Sequence, residues 1–152
     1  MSLTPDDVLA LSAAALGPVK QLIAKATSQV RARVSKEGAV SGDLIDQEQA
    51  AAHGLAWYAT YGTALQELHD WAQRLKDEGQ YSLTESLILQ IGFGEYLTQL
   101  IGGVPMSQLE IIRPADLGLG LDDISAFQTE AVKTLVEQGN TAKTREIGRA
   151  HV

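Results

Sequence analysis

The chain contains no cysteine, so it can form no disulfide bond, no thiolate nucleophile and no zinc site with cysteine ligands. This composition fits a reducing compartment, and we expect the protein to be cytoplasmic. Basic residues are also scarce, since 12 Lys and Arg stand against 19 Asp and Glu and give a formal net charge of -7. Nucleic acids and anionic membranes select clustered Lys and Arg, so neither is an expected partner.

A basic N-terminus and a long hydrophobic run are missing as well. The opening residues, MSLTPDDV, carry acids where a secretory signal would carry Lys or Arg. The longest apolar run falls short of the roughly 20 residues that cross a bilayer. The sequence therefore predicts neither a targeting segment nor a membrane-spanning helix.

Proline occurs only four times among 152 residues, and the periodic stretches between the prolines are helical. With 45% hydrophobic and 20% charged residues, the composition is typical of one globular domain with a core. The predicted fold is all-α, an antiparallel helical bundle of about four to five main helices. We expect the domain to cover residues 1–140 and residues 141–152 to form a polar, basic C-terminal tail, which is a truncation point or linker.

The longest predicted helix covers residues 46–77, with its start near Asp43 or Asp46. It has no proline, it holds both tryptophans, and its polar residues recur at helical spacings. Its apolar arc is wide enough to contact neighbours on at least two sides. Gly54 and Gly62 inside it cost about 1 kcal/mol each relative to alanine, which predicts that a neighbouring element packs closely there.

The first helix is predicted to begin near Pro5, where Thr4 can cap it. Gly17-Pro18 predicts a break or sharp kink, because proline removes a helical donor and crowds the preceding turn. A second helical segment then runs to about Lys36.

The later helices are predicted in the same way. Ser82 and Glu85 match a capping box that opens an apolar helix ending at Gly102. A structured connection follows, with a short helix over residues 107–112. The last main helix is predicted over residues 122–139.

Few residues are candidates for chemistry. His53 and His69 raise a metal-site hypothesis, but they are 16 residues apart and share no metal-binding pattern, so ordinary partly buried histidines are favoured. The stretch Gly92-Phe93-Gly94 lacks the third glycine and the preceding strand of a dinucleotide fingerprint, which favours close helix packing. Glu95 is a candidate buried acid or base, although helical spacing places it on a more polar strip.

Arg113, which precedes Pro114, is a further candidate, with a salt bridge that anchors the loop as the favoured interpretation. The sequence thus predicts no catalytic, cofactor-binding or metal-ligating residue in this chain.

The aromatic residues indicate a different kind of site. A groove beside the aromatic residues of the central helix suits a small apolar ligand or a partner helix. The possible interaction surface consists of Trp57, Tyr61, Trp71, Phe93 and Tyr96. One function that stays open is an independent helical binding or oligomerisation module with an aromatic groove.

Three longer stretches carry a resemblance to a known family. They are AAHGLAWYA at 51–59, IGFGEYLTQL at 91–100 and GVPMSQLEIIRPADL at 103–117. The chain resembles, over roughly residues 8–140, the N-terminal helical extension of flavin-dependent acyl-CoA dehydrogenases, most closely the (2S)-methylsuccinyl-CoA dehydrogenase branch.

The resemblance implies a parent enzyme that uses FAD and a glutamate base on an acyl-CoA thioester. No β-domain, flavin-binding segment or stretch with the catalytic glutamate can be matched in this chain. The resemblance therefore implies an accessory helical domain with a structural or docking role, inactive alone and without a cofactor of its own. The remainder of the parent enzyme is the expected partner. A homodimer or higher oligomer is expected to cover the surface that a cut-out domain exposes.

Overall fold

A computed structural model of the chain describes residues 3–107 and 109–149. Helices account for most of these residues and the strands are two residues long, so the all-α prediction is confirmed. The helices are α1 (Pro5–Arg33), α2 (Gly42–Gln47), α3 (Gln49–Asp77), α4 (Leu83–Gly102), α5 (Leu121–Phe127) and α6 (Glu130–Gln138), with 3-10 turns at Pro114–Leu117 and Thr144–Arg149. The strands are β1 (Ser35–Lys36), β2 (Ala39–Val40), β3 (Val104–Pro105) and β4 (Ile111–Ile112), paired antiparallel as β1-β2 and β3-β4.

Helix α1 runs without interruption through Gly17-Pro18, so the predicted break is wrong. Pro18 leaves the carbonyl of Ala14 without its helical donor, but Ala14 is exposed and water can supply one. Gly17 has no Cβ to clash with the proline ring, which removes much of the restriction on the residue before a proline. Leu16 and Val19 on either side are both buried in the core, and this packing holds the two halves in one helix.

Helices α1 and α3 lie antiparallel. Asp6 at the start of α1 pairs with Lys76 at the end of α3, and the side chain of Ile23, in the second half of α1, lies over Gly62, in the middle of α3. Close packing at Gly62 is therefore confirmed, although the neighbour that approaches is a side chain rather than a backbone.

The start of α3 differs from the prediction. The residues around Asp43 and Asp46 form the separate short helix α2, and α3 begins at Gln49. The two helices meet at Glu48, whose N–H donates to the carbonyl of Leu44 at 3.0 Å while its carbonyl accepts from Ala52 at 2.9 Å. The end of α3 at Asp77 agrees with the prediction.

Helix α4 is enclosed by α1, α3 and α6. Its capping box is confirmed, since the N–H of Ser82 donates to Glu85 Oε2 at 2.9 Å. Its exposed residues are few, and the others are half-buried or buried; the exposed ones are Leu83, Ile88, Thr98 and Gly102.

The contact between α4 and the end of α6 is a backbone contact. A Cβ placed on Gly94 would lie 2.6 Å from the backbone nitrogen of Asn140 and 2.7 Å from Cα of Gly139. Close by, Gln90 Nε2 donates to the carbonyl of Gln138 at 2.8 Å. The close-packing interpretation of Gly92-Phe93-Gly94 is therefore confirmed at Gly94.

The predicted last helix is two helices, α5 and α6, separated by Gln128 and Thr129. The N–H of Thr129 donates to the carbonyl of Phe127 at 2.8 Å, and Thr129 takes the extended conformation of an N-cap residue. Beyond α6, Thr144 is buried and its hydroxyl donates to the carbonyl of Gly139 at 2.9 Å. The end of the predicted tail, residues 150–152, lies outside the described residues.

The connection after α4 is a β-hairpin and not the predicted short helix over 107–112. Gly103 has φ of +134°, which ends the helix, and Val104 then pairs with Ile112. Both residues are buried, and the side chain of Ile112 fills the space over Gly54 in α3. Tertiary burial of these β-branched residues outweighs the local helical pattern.

Helix α1 is long and apolar enough to cross a membrane by length and composition alone, since an 18-residue window reaches a mean hydropathy of 1.3. By length and composition the chain therefore does contain a stretch that could span a membrane, contrary to the prediction. In this fold its apolar residues Val8, Ala15 and Leu22 pack inside the bundle, as in the core helix of a globular protein.

Replacement of Gly94 by alanine tests the backbone contact between α4 and α6. The new methyl group would meet backbone atoms that cannot move aside, so Gly94→Ala should lower the free energy of unfolding by about 3 kcal/mol. Urea denaturation followed by circular dichroism measures the difference.

Gly92→Ala is the matched control on the same helix. Its methyl group would meet only the end of the Leu68 side chain, which can shift. Alanine also stabilises a helix interior by about 1 kcal/mol relative to glycine. Gly92→Ala should therefore change stability by less than about 1 kcal/mol. Equal losses in the two variants would contradict a special backbone contact at Gly94.

Candidate interaction surface

A column of aromatic rings joins α3 to α4. Trp57 meets Tyr61 edge to face, with ring centroids 6.4 Å apart and planes at 84°. Tyr61 in turn stacks on Tyr96 of α4, with centroids 4.3 Å apart and planes at 15°. Trp57 and Tyr96 are half-buried and each shows part of its ring at the surface.

The residues of this column that belong to α3 lie on one face of that helix because of their spacing. His53, Trp57 and Tyr61 follow one another at four-residue intervals, so their side chains lie one above the other on one face of the helix. Trp57 Nε1 donates to His53 Nε2 at 3.1 Å, which orients the indole ring.

A chain of hydrogen bonds runs beneath the rings and reaches the segment after α6. The hydroxyl of Tyr61 donates to Gln99 Oε1 at 2.5 Å, and Gln99 Nε2 donates to Glu95 Oε1 at 2.6 Å. Asn140 Nδ2 donates to the other carboxylate oxygen of Glu95. These four side chains tie α3, α4 and the end of α6 together.

The same geometry limits what this site can do chemically. Burial raises the pKa of Tyr61, with smaller contributions from Tyr96 and Glu95, so its hydroxyl stays a proton donor near neutral pH. Both carboxylate oxygens of Glu95 already accept amide hydrogens from Gln99 and Asn140. The cluster is suited to binding and to fixing helices, and it presents no unengaged base.

The five residues of the sequence-predicted surface do not all come together. Phe93 is 0% exposed and belongs to the core, so its place on an interaction surface is wrong. Tyr61 is only 8% exposed and supports the rings beside it. Trp71 is half-buried but lies 14 residues beyond Trp57 on α3, a distance of about 21 Å along the helix. The partly exposed rings of this group that pack on Tyr61 are those of Trp57 and Tyr96.

The two histidines lie at separate places. His53 bonds Trp57, whereas Nδ1 of His69 lies 2.8 Å from Ser12 Oγ on α1. Ser12 Oγ uses its single proton toward the carbonyl of Leu9 at 2.8 Å, so His69 Nδ1 must be the donor to Ser12. Burial lowers the pKa of His69, against a smaller opposing effect of Asp70.

Arg113 makes no ion pair with any residue in the described part of the chain, so the salt bridge expected for it is not found. The loop is held instead by other bonds. The N–H of Arg113 donates to Asp116 Oδ2 at 2.7 Å, and Arg33 Nη1 donates to the carbonyl of Asp116 at 2.8 Å.

A second concave surface was not predicted from the sequence. It lies between the start of α3 and the β3-β4 hairpin and has a volume of about 840 Å³. We call it the hairpin groove; its wall includes Ile45, His53, Met106, Leu109, Ile111 and Arg113. The signal that points to it is the pair of β-branched stretches around a proline, Val104-Pro105 and Ile111-Ile112, which is typical of a short hairpin.

Comparison of the sequence with known proteins finds a related enzyme. The (2S)-methylsuccinyl-CoA dehydrogenase of Cereibacter sphaeroides is 45% identical over 139 residues, which are 91% of this chain. The chain is related to a segment of an acyl-CoA dehydrogenase. The match covers 25% of that relative, so this chain spans a quarter of the relative's length. No protein-family model matches the chain. The resemblance seen in the three sequence stretches is confirmed.

The hydrogen-bond chain below the aromatic column can be tested with Tyr61→Phe. The ring and its stacking remain, but Gln99 Oε1 loses its donor in a partly buried place, which should lower stability by about 1 kcal/mol. Tyr96→Phe is the matched control, because the Tyr96 hydroxyl has no hydrogen-bond partner among the described residues. Thermal or urea unfolding that shows the same loss in both variants would contradict the role given to the Tyr61 hydroxyl.

The lowered pKa of His69 predicts a pH dependence of stability. The unfolded chain takes up a proton near the ordinary histidine value of about 6.5, before the folded protein does. The free energy of unfolding should therefore fall as the pH is lowered from 7 toward 5, and His69→Gln should reduce that slope. Urea unfolding at several pH values measures it. An unchanged slope in His69→Gln would show that this imidazole does not contribute.

Proposed function

We propose that this chain is a helical accessory domain of an FAD-dependent acyl-CoA dehydrogenase, most like the methylsuccinyl-CoA dehydrogenases. Its role is structural, since it docks on the remaining part of such an enzyme, and the chemistry takes place outside it. The observation that carries the proposal is the match itself, which takes in 91% of this chain but a quarter of the relative. The proposed setting is the CoA-ester carbon metabolism of the cytoplasm.

The described residues support a role outside the chemistry. An acyl-CoA dehydrogenase needs a base and a flavin held at near-contact distance from the substrate. Glu95, the acid of the apolar helix, is held by Gln99 and Asn140. Gly92 and Gly94 lie inside α4, so their N–H groups belong to a helix interior and do not fit a phosphate-binding turn. Gly92 and Gly94 therefore do not form a nucleotide-binding turn.

An independent binding or oligomerisation module is the second candidate. The observation that favours it is the half-exposed pair of Trp57 and Tyr96, stacked through Tyr61 at one seam of the bundle. Aromatic residues of this kind are enriched where proteins meet ligands or partners. In this case a purified chain would form a homo-oligomer or bind an apolar ligand in the absence of any dehydrogenase.

The isolated 152 residues should be colourless and should not reduce an electron acceptor when supplied with methylsuccinyl-CoA or another acyl-CoA. The absorbance spectrum of the purified protein and a dye-reduction assay measure the two properties. Flavin absorbance together with acyl-CoA-dependent reduction that is lost in Glu95→Gln would contradict the proposal. It would make this chain a catalytic unit.

A chimera tests the docking role directly. The segment of the Cereibacter sphaeroides enzyme that matches this chain is replaced by this chain, and a second variant lacks the segment altogether. The chimera should keep bound flavin and activity with methylsuccinyl-CoA, whereas the deletion variant should lose stability or activity. A chimera that neither binds flavin nor reacts, beside an active parent, would count against an accessory domain of this enzyme type.

A further inference from the structure

We infer that the hairpin groove is the surface through which this domain docks on the rest of an acyl-CoA dehydrogenase. The occupant is a group of apolar side chains from that remaining part, flanked by basic residues. This inference rests on the proposed accessory role and names the surface that performs it.

The groove gathers exposed apolar side chains from two elements. Leu109 of the hairpin is 95% exposed, Ile111 is 46% exposed, and Ile45 of α2 faces the same cavity at 36%. Single exposed hydrophobic residues are ordinary, but a contiguous group around a concavity marks an interaction site. Polar residues, among them His53 and Arg113, complete the wall, which matches the apolar centre and polar rim of protein interfaces.

The hairpin presents these side chains from a fixed position. Successive strand residues point to opposite sides, so Ile112 packs against Gly54 in the core while Ile111 faces outward. The next loop is held by the hydrogen bond from Arg33 to the carbonyl of Asp116. Because β4 is paired and the next loop is bonded, the backbone that carries Ile111 loses little further freedom when a partner binds.

None of the other exposed large apolar residues in the described part of the chain lines the hairpin groove; these are Val40, Leu83, Ile88 and Leu121. Leu83 and Ile88 lie five residues apart on α4, which places them about 140° apart around the helix. Leu121 is 89% exposed at the start of α5 and does not line the hairpin groove.

The remaining part of the enzyme is favoured over a second copy of this chain for two reasons. The relative continues for three quarters of its length outside the match, so a domain of this kind has a large partner in the same polypeptide. A second copy would bring another formal charge of -7 to the contact, and the charged residues at the groove, Glu110, Asp116 and Arg113, are negative in balance. The net negative charge of the domain therefore favours a partner whose apolar side chains are surrounded by Lys or Arg.

The absence of cysteine allows a direct test with single thiol probes. Leu109→Cys and the control Leu121→Cys are made in the isolated chain and in the flavin-containing chimera. Each is treated with a maleimide, and modification at that position is followed by peptide mass spectrometry. Both thiols should react quickly in the isolated chain, since both positions are exposed. In the chimera we expect labelling at position 109 to slow at least tenfold while labelling at 121 is unchanged.

Each outcome decides between surfaces. Suppose that the chimera binds flavin and is active. If position 109 then reacts as fast as in the isolated chain, or if only position 121 is protected, the hairpin groove is not the docking surface. The accessory role is unaffected by that result. A chimera without flavin and activity removes the accessory role and this inference with it. If position 109 becomes protected in the isolated chain as concentration rises, and Leu109→Asp abolishes a dimer seen by light scattering, the occupant is a second copy and the inference is wrong.

Discussion

Helix α4 must be covered on nearly every side, and the other helices are arranged to meet this requirement. Its buried side chains include Leu89, Phe93, Leu97 and Leu100, each with no exposed surface. A single partner helix cannot enclose such a surface, so α1, α3 and α6 pack around it. Gly94 lets the chain after α6 approach as backbone against backbone, which closes the last side. The burial of apolar surface around α4 is thus one main contribution to stability.

The aromatic column, formed by Trp57, Tyr61 and Tyr96, lies where α3 packs against α4. The ring of Tyr61 stacks on Tyr96, and its hydroxyl donates to Gln99, which in turn donates to Glu95. Tyr61 therefore contributes both to the packing and to the polar network. The network connects three elements that are distant in sequence through the bonds among Tyr61, Gln99, Glu95 and Asn140, while Asn140 Oδ1 is buried without a partner among the described residues. Polar residues in this arrangement fix the relative positions of helices. The same hydrogen bonds leave Glu95 without the freedom that a catalytic base needs.

The aromatic column and the hairpin groove are separate surfaces, and they differ in kind. The exposed edges of Trp57 and Tyr96 belong to a compact stack within the bundle. The hairpin groove is built by residues that the core does not use, with Leu109 almost wholly in solvent. Exposed apolar side chains gathered around a concavity are typical of interaction sites. The groove therefore connects the fold with the proposed docking role.

The sequence by itself determined the all-α class, the capping box of Ser82 and Glu85, and the end of α3 at Asp77, because each depends on local periodicity or on groups within one helical turn. The family resemblance was also readable from the residues. Only the tertiary structure decided that α1 continues through Pro18, that Val104–Pro105 pairs with Ile111–Ile112, and that Phe93 is core. Burial against distant elements outweighs local preference at each of these places. The hairpin groove depends on the same distant packing, since Ile112 is turned inward by Gly54 and its neighbour Ile111 is thereby left in solvent.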